Sequence, residues 1–166
     1  MRLFDKKLHK YFLNYIFQSI LATLTLIFIL YFENMFTNTA IVASLGATTF
    51  IIFAMPKYTT ALPRRVIGGH VAGIIVGIFY FYIQSHFQIN FFSSVEMLNI
   101  IIPALSVGLA IFIMVITNTE HPPAAGTALG ITINGWTYST LLVILITIII
   151  LSLSRHLLKV WLKNLV

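Results

Sequence analysis

The 166-residue sequence has no cysteine and little charge, with ten Lys and Arg, four Asp and Glu, and 8% charged residues in all. The absence of cysteine excludes a disulfide-stabilised scaffold and a thiolate metal site. Soluble domains carry roughly 25% charged residues, so this chain cannot cover a water-facing surface. The lack of charge therefore excludes a soluble globular enzyme, a disordered chain and a nucleic-acid-binding module.

Apolar residues dominate instead, at 59% of the chain. They fall into six stretches, and a spanning helix needs about 20 mostly apolar residues. We therefore predict an all-α, polytopic transmembrane helix bundle. The stretches are Phe12–Phe32, Ala40–Met55, Val66–Phe87, Leu98–Thr117, His121–Gly135 and Trp136–Ser154.

The basic residues form three clusters, at 2–10, 57–65 and 155–163, each beside an apolar stretch. This juxtamembrane pattern sets topology and contacts anionic lipid, because cytoplasmic loops are enriched in Lys and Arg. Six crossings place all ten basic residues and both termini in the cytoplasm, whereas five leave the last cluster outside. We favour six. Because 15 residues is short for a span, a re-entrant or surface segment at 121–135 with an external C-terminus stays open.

An internal repeat is suggested by an offset of 80 residues. The offset aligns Thr37-Asn38-Thr39 with Thr117-Asn118-Thr119, and Gly46 with Gly126. Three crossings per half would give the halves opposite orientations, as in transporters that bind substrate near the midplane at short helices. We predict a single transmembrane domain over 1–166. One explanation of the alignment is an inverted repeat, with halves at 12–87 and 98–157 and short helices at 40–55 and 121–135. The alternative is chance similarity.

The densest group of unusual residues is Thr117–Thr127, which contains His121-Pro122-Pro123. Proline is at home in the first turn of a helix, so we expect a helix to restart at Pro122 or Pro123, capped by Thr119 or His121. If that restart is buried, its unpaired N–H groups, with Thr117, Asn118 and His121 beside them, would bind a small anion. A plain loop and cap at the inner surface is the alternative.

A second candidate is His70, next to a ridge formed by Gly69, Gly73 and Gly77. An ionisable side chain inside a span is a functional candidate, although a structural interhelical hydrogen bond would also explain it. Arg64, just before this span, either attracts anions at the inner mouth or anchors the helix.

The predicted substrate-binding residues come from both halves of the chain. No catalytic residue, metal site or cofactor is expected. The set is Ser44, Gly46, Thr48, Arg64, His70, Thr117, Asn118, His121, Pro122, Pro123, Gly126 and Thr127.

Three ordered motifs resemble the HPP family of integral membrane proteins. They are Ser44-Leu45-Gly46-Ala47, Pro63–His70, and Val107-Gly108-Leu109-Ala110 running into Thr117 and His121-Pro122-Pro123-Ala124. The resemblance implies a small multi-span domain with a suspected transport role, and some relatives are associated with nitrite movement. The family is usually described with four spans, where the charge count here favours six.

We expect a transporter or channel for a small inorganic anion, nitrite first, in the bacterial inner membrane. The chain should be the bare membrane unit, with its first span retained. Its partners are the anion and the lipid bilayer, nucleic acid is not expected, and a homo-oligomer is left open. One alternative is a non-transporting accessory subunit that packs a partner helix on the Gly69–Gly73–Gly77 ridge. Another is a membrane enzyme acting on a lipid or quinone-like substrate.

Overall fold

The computed structural model describes residues 7–32, 38–90 and 95–166, and the regular secondary structure of these residues is helical, without a strand. Each of the six predicted apolar stretches forms one helix, so the all-α prediction is confirmed. Arg2, Lys6, Glu33 and Thr37 lie outside the described residues. The helices are α1 (Leu8–Phe32), α2 (Thr39–Ala54), α3 (Pro63–Asn90), α4 (Val95–Ile116), α5 (Pro123–Asn134) and α6 (Tyr138–Leu158), with a 3-10 turn at Thr59–Ala61.

The helices fall into two length classes. Four of those described, α1, α3, α4 and α6, are long and apolar enough to span a membrane. At 16 and 12 residues, α2 and α5 reach about 24 Å and about 18 Å, less than the hydrocarbon core of about 30 Å. Four long helices match the span count that the HPP resemblance implies, and the two short ones account for the other two apolar stretches.

Local sequence explains where the helices begin. The Asn38 side chain accepts a hydrogen bond from the Ile41 amide, and the Thr137 side chain accepts one from the Thr140 amide, so both are N-caps. Helices α3 and α5 start on Pro63 and Pro123. Proline suits a first turn because the N–H it lacks has no partner within the helix there.

One end of the bundle collects the basic side chains. Arg155 Nε donates to the Pro56 carbonyl at 2.8 Å, Arg64 Nη2 to the Thr117 carbonyl at 3.3 Å, and Lys7 Nζ to the Val166 carbonyl at 3.0 Å. These bonds bring together the start of α1, the segments between α2 and α3 and between α4 and α5, and the C-terminal segment. We call this the basic end; it holds all eight described Lys and Arg residues.

The opposite end carries the start of α2 and the end of α5. There Asn134 Nδ2 donates to Asn38 Oδ1 at 3.2 Å. Successive helices therefore alternate in direction, so that α1, α2 and α3 run opposite to α4, α5 and α6 respectively. An inverted repeat requires this relation, and the repeat itself stays a prediction.

Helix α5 lies inside the bundle, against α2, α3 and α4. It runs parallel to α3 along the glycine ridge. A side-chain carbon built on Gly73 would lie 2.5 Å from the Ala124 carbonyl oxygen, and one on Gly77 would lie 2.8 Å from Ile131 Cβ. The ridge is thus occupied by the protein's own helix. The surface on which the accessory-subunit alternative depended is not available to a partner.

Large apolar side chains cover the outside of the long helices. Leu13 on α1 is 79% exposed, and Ile100 and Ile116 on α4 are 71% and 65% exposed. Such a surface is stable against lipid, where backbone groups must be satisfied within helices. The fold is that of an integral membrane helix bundle.

Candidate functional site: a buried His–Thr cluster

Five buried polar side chains meet inside the bundle. We call them the His–Thr cluster, and each is at most 4% exposed. They come from α2, α3, α5 and the segment just before α5. The members are Ser44, Thr48, His70, His121 and Thr127.

Thr48 lies at the centre of the cluster. Its Oγ1 is 3.0 Å from Nε2 of His70 and 3.0 Å from Nε2 of His121, and it is also 3.0 Å from the Ser44 carbonyl oxygen. One hydroxyl therefore joins the two imidazoles, whose ring centroids are 5.2 Å apart.

From His70 the contacts continue to α5. His70 Nδ1 is 2.9 Å from Thr127 Oγ1, which is 2.9 Å from Ser44 Oγ. The Ser44 hydroxyl also donates to the carbonyl oxygen of Pro123. A continuous line of polar atoms thus links the two short helices.

The contact of His121 with the backbone at Thr60 determines which tautomer the ring adopts. His121 Nδ1 is 2.9 Å from the Thr60 carbonyl oxygen, which can only accept. The ring therefore donates from Nδ1, and in the neutral form its Nε2 presents a lone pair to Thr48.

The backbone places His121 inside the bundle rather than at its surface. Asn118 adopts a positive φ of 54°, a conformation that Asn tolerates better than most residues. The chain then passes α3 at Gly69, where a side-chain carbon would be 2.8 Å from His121 Cβ. Gly69 is six residues into α3, so His121 lies about 9 Å in from the start of that helix.

The amides at the start of α5 are already paired. The Ala124 amide donates to the His121 carbonyl at 2.9 Å, and the Ala125 amide donates to the Pro122 carbonyl at 3.2 Å. The prediction of unpaired amides awaiting an anion is therefore wrong. Two prolines remove two of the helix's orphan N–H groups, and a tight turn satisfies the next two.

The predicted side-chain cap is also wrong. The N-cap position is Pro122, which makes no side-chain capping bond. The His121 ring turns to Thr60 and Thr48 instead, and Thr119 Oγ1 is 2.8 Å from Thr117 Oγ1. The predicted helix start at Pro123 is confirmed.

A partly open cavity of about 240 Å³ borders the cluster on the α4 side, and Ile111, Val115 and Pro122 in its wall are exposed. It is mostly apolar, and His121 belongs both to its wall and to the cluster. The lining residues are Ile111, Met114, Val115, Glu120, His121, Pro122 and Ala125.

An ion pair lies between this cavity and the basic end. Arg65 Nη1 is 2.8 Å from Glu120 Oε2, and Arg65 Nη2 donates to Asn118 Oδ1 at 2.7 Å. Arg65 thereby fastens the start of α3 to the segment that carries His121.

The family model described as HPP, transmembrane region, matches residues 9–164, in agreement with the three sequence motifs that resemble this family. The chain belongs to the HPP family. A transmembrane protein of Dictyostelium discoideum is 33% identical over 93 residues, which are 54% of this chain and 28% of that relative. The chain thus spans little more than a quarter of the length of the curated relative it matches. No solved structure matches.

The HPP motif residues have separate places in this structure. His121 enters the cluster, Pro122 is exposed, and Pro123 is buried and accepts the bond from Ser44. Gly126 lets α2 and α5 approach, because a side-chain carbon there would lie 3.2 Å from Ser44 Cβ.

The structure brings five of the predicted binding residues into the cluster, places Pro123 and Gly126 against it, and separates Thr117, Asn118 and Gly46 from it. Ser44, Thr48, His70, His121 and Thr127 form the cluster. Thr117 and Asn118 are exposed at the basic end, where their contacts are to Arg64 and Arg65. Gly46 has nothing within 4 Å of a built side-chain carbon, so it does not line the cluster.

Two parts of the site were missed by sequence reasoning. The Thr60 carbonyl leaves no trace in the residue type, because any residue could supply it. The pairing of Glu120 with Arg65 had a signal, since Glu120 is one of four acidic residues in the chain and adjoins His121.

Proposed function

We propose that this HPP-family protein carries a small inorganic anion across the membrane, with nitrite the first candidate. The observation that carries the proposal is the buried His–Thr cluster with a cavity of about 240 Å³ against its His121 wall. Polar side chains are costly inside a membrane protein and mark substrate pathways. The family resemblance supplies the choice of anion.

The route begins at the basic end. Arg64 and Arg65 raise the local concentration of anions there, and the anion passes the Arg65–Glu120 pair to reach the cavity. Contact with the cluster through His121 then selects for small polar solutes, and the cavity wall is apolar apart from His121 and Glu120.

The topology we propose has six crossings, with both termini in the cytoplasm of a bacterial cell and the protein in the inner membrane. The gathering of the described Lys and Arg at one end supports this arrangement. Transport needs no catalytic group, so we propose no enzymatic activity. A homo-oligomer is compatible with the apolar exterior.

The test is uptake by purified protein in lipid vesicles. We expect nitrite uptake above that of protein-free vesicles, and at least a tenfold loss in His121→Ala, because this change removes the residue shared by cluster and cavity. His156→Ala is the matched control, since His156 is an exposed histidine in the last turn of α6. Uptake that is the same in His121→Ala and wild type would contradict the proposal, as would the absence of uptake for nitrite, nitrate and other small anions.

A further inference from the structure

The His–Thr cluster has more hydrogen-bonding contacts than protons to fill them. Seven contacts join its side chains to one another and to three carbonyl oxygens. With both histidines neutral, the three hydroxyls and two imidazole N–H groups supply five protons. Two contacts are therefore left without a proton.

The first conflict is at Thr48. Its single proton cannot serve both the Ser44 carbonyl and the lone pair on His121 Nε2, which are each 3.0 Å away. A proton added to His121 Nε2 resolves the conflict, because the ring then donates to Thr48 and the Thr48 proton goes to the carbonyl.

The second conflict is at Ser44, and His70 resolves it in the same way. When neutral His70 carries its proton on Nε2, facing Thr48, its Nδ1 accepts from Thr127, and the Ser44 proton then cannot serve both the Pro123 carbonyl and Thr127 Oγ1. A second proton on His70 lets the ring donate from Nδ1 to Thr127. Thr127 then donates to Ser44, and Ser44 to Pro123. The two rings are 5.2 Å apart, so two positive charges would repel each other and the cluster would take up one added proton rather than two.

No buried cation is available near the cluster in the described part of the chain. Arg65 is paired with Glu120, which itself lines the cavity. Helices α2 and α5 contain no titratable residue, and neither does α4 from 97 to 116. The other charged or titratable groups on α3 and the segment before it are Lys57, Tyr58, Arg64, Tyr80, Tyr82 and His86.

An anion in this partly open, mostly apolar cavity would therefore be a charge in apolar surroundings beside a carboxylate, and the described residues place no free cation opposite it. Burying an unpaired charge is strongly unfavourable. From this we infer that the cluster takes up one proton with each anion, so that His121 and His70 share a positive charge while the cavity is loaded. The proton is bound at a ring nitrogen on loading and released from it on unloading, which makes the cycle an electroneutral proton–anion symport. This inference rests on the proposed transport function and names its coupling ion.

The experiment uses wild-type protein in vesicles with a pH-sensitive dye inside and the membrane potential fixed by potassium and valinomycin. Nitrate is the first probe because it stays ionised at every pH used, and nitrite is measured against protein-free vesicles because nitrous acid crosses lipid unaided. We expect an inward anion gradient to acidify the lumen with about one proton per anion. At zero potential, an inward acid gradient of one pH unit should drive about tenfold accumulation, the equivalent of about 1.4 kcal/mol.

The outcomes separate the two proposals. Uptake that follows the membrane potential and moves no proton would overturn the symport and leave anion transport standing. Absence of uptake for both probes would overturn both. The double variant His70→Gln/His121→Gln is expected to lose proton movement, with any remaining uptake becoming dependent on potential. If this variant does not fold, the wild-type stoichiometry still decides.

Discussion

At the scale of single residues, Thr48 holds the cluster together because one hydroxyl contacts both histidines and a backbone carbonyl. Its neighbour Thr49 is also buried, yet its hydroxyl bonds only within α2, to the Leu45 carbonyl at 2.9 Å. Thr48 and Thr49 are thus adjacent buried threonines whose hydroxyls have different hydrogen-bond partners. Replacing each with valine keeps the shape of the side chain and removes the hydroxyl.

We expect Thr48→Val to lower stability by about 1–3 kcal/mol, since it leaves ring nitrogens of both histidines without their partner. Thr49→Val should cost less than about 1 kcal/mol, because the carbonyl it leaves already takes part in the helix. Thermal unfolding of the detergent-solubilised protein measures both. Equal losses in the two variants would show that the cluster contributes nothing to stability beyond ordinary packing.

The residue scale also separates what could be predicted from what could not. His70 could be picked out because an ionisable side chain inside an apolar stretch is rare, and Ser44, Thr48, His121 and Thr127 because they lie in or beside the two short stretches that the offset of 80 residues aligns. Their mutual distances could not, because they depend on how α2 crosses α5. The position of Thr117 and Asn118 outside the cluster could not be predicted for a related reason. A positive φ at Asn118 turns the chain, and sequence adjacency to His121 then says little about spatial neighbourhood.

At the scale of elements, the parallel contact of α3 with α5 determines where His121 lies. Small residues let two membrane helices approach closely, and the glycines at 69, 73 and 77 do so here. The four-residue spacing allowed the ridge to be predicted from sequence. Whether an internal helix or a partner fills it could not be, because a stripe of glycines suits either.

We expect Gly73→Ala to be destabilising by about 1–3 kcal/mol, the usual cost of overpacking a tight contact. The added carbon would meet the Ala124 carbonyl, which is backbone and cannot rotate away. Gly108→Ala on α4 is the matched control, because nothing lies within 4 Å of a carbon built there, and alanine favours helix by up to about 1 kcal/mol. Thermal unfolding in detergent gives both values. A Gly73→Ala protein as stable as wild type would mean that α3 and α5 are less closely packed.

At the scale of the whole molecule, the number of crossings depends on whether residues 117–135, which contain α5, cross the membrane. Helix α5 alone is too short, at about 18 Å. The segment before it adds length, since Thr117 contacts Arg64 and a carbon built on Gly135 would lie 2.9 Å from Phe81. Residues 64 to 81 of α3 cover about 26 Å, close to the hydrocarbon thickness of about 30 Å. The stretch from Thr117 to Gly135 thus covers nearly a full span.

The absence of cysteine makes this topology directly testable, because single cysteines can be introduced without removing others. Val160 and Tyr138 are suitable, as they are 76% and 79% exposed and lie at the basic end and the opposite end. In intact cells, a membrane-impermeant maleimide should label Tyr138→Cys and leave Val160→Cys unlabelled until the membrane is permeabilised. A re-entrant α5 would reverse the result, because Trp136–Tyr138 would then return to the cytoplasm and α6 would carry the C-terminus out. Reversed labelling would therefore indicate five crossings, and the proposed anion route from one end of the bundle to the other would then be wrong at α5.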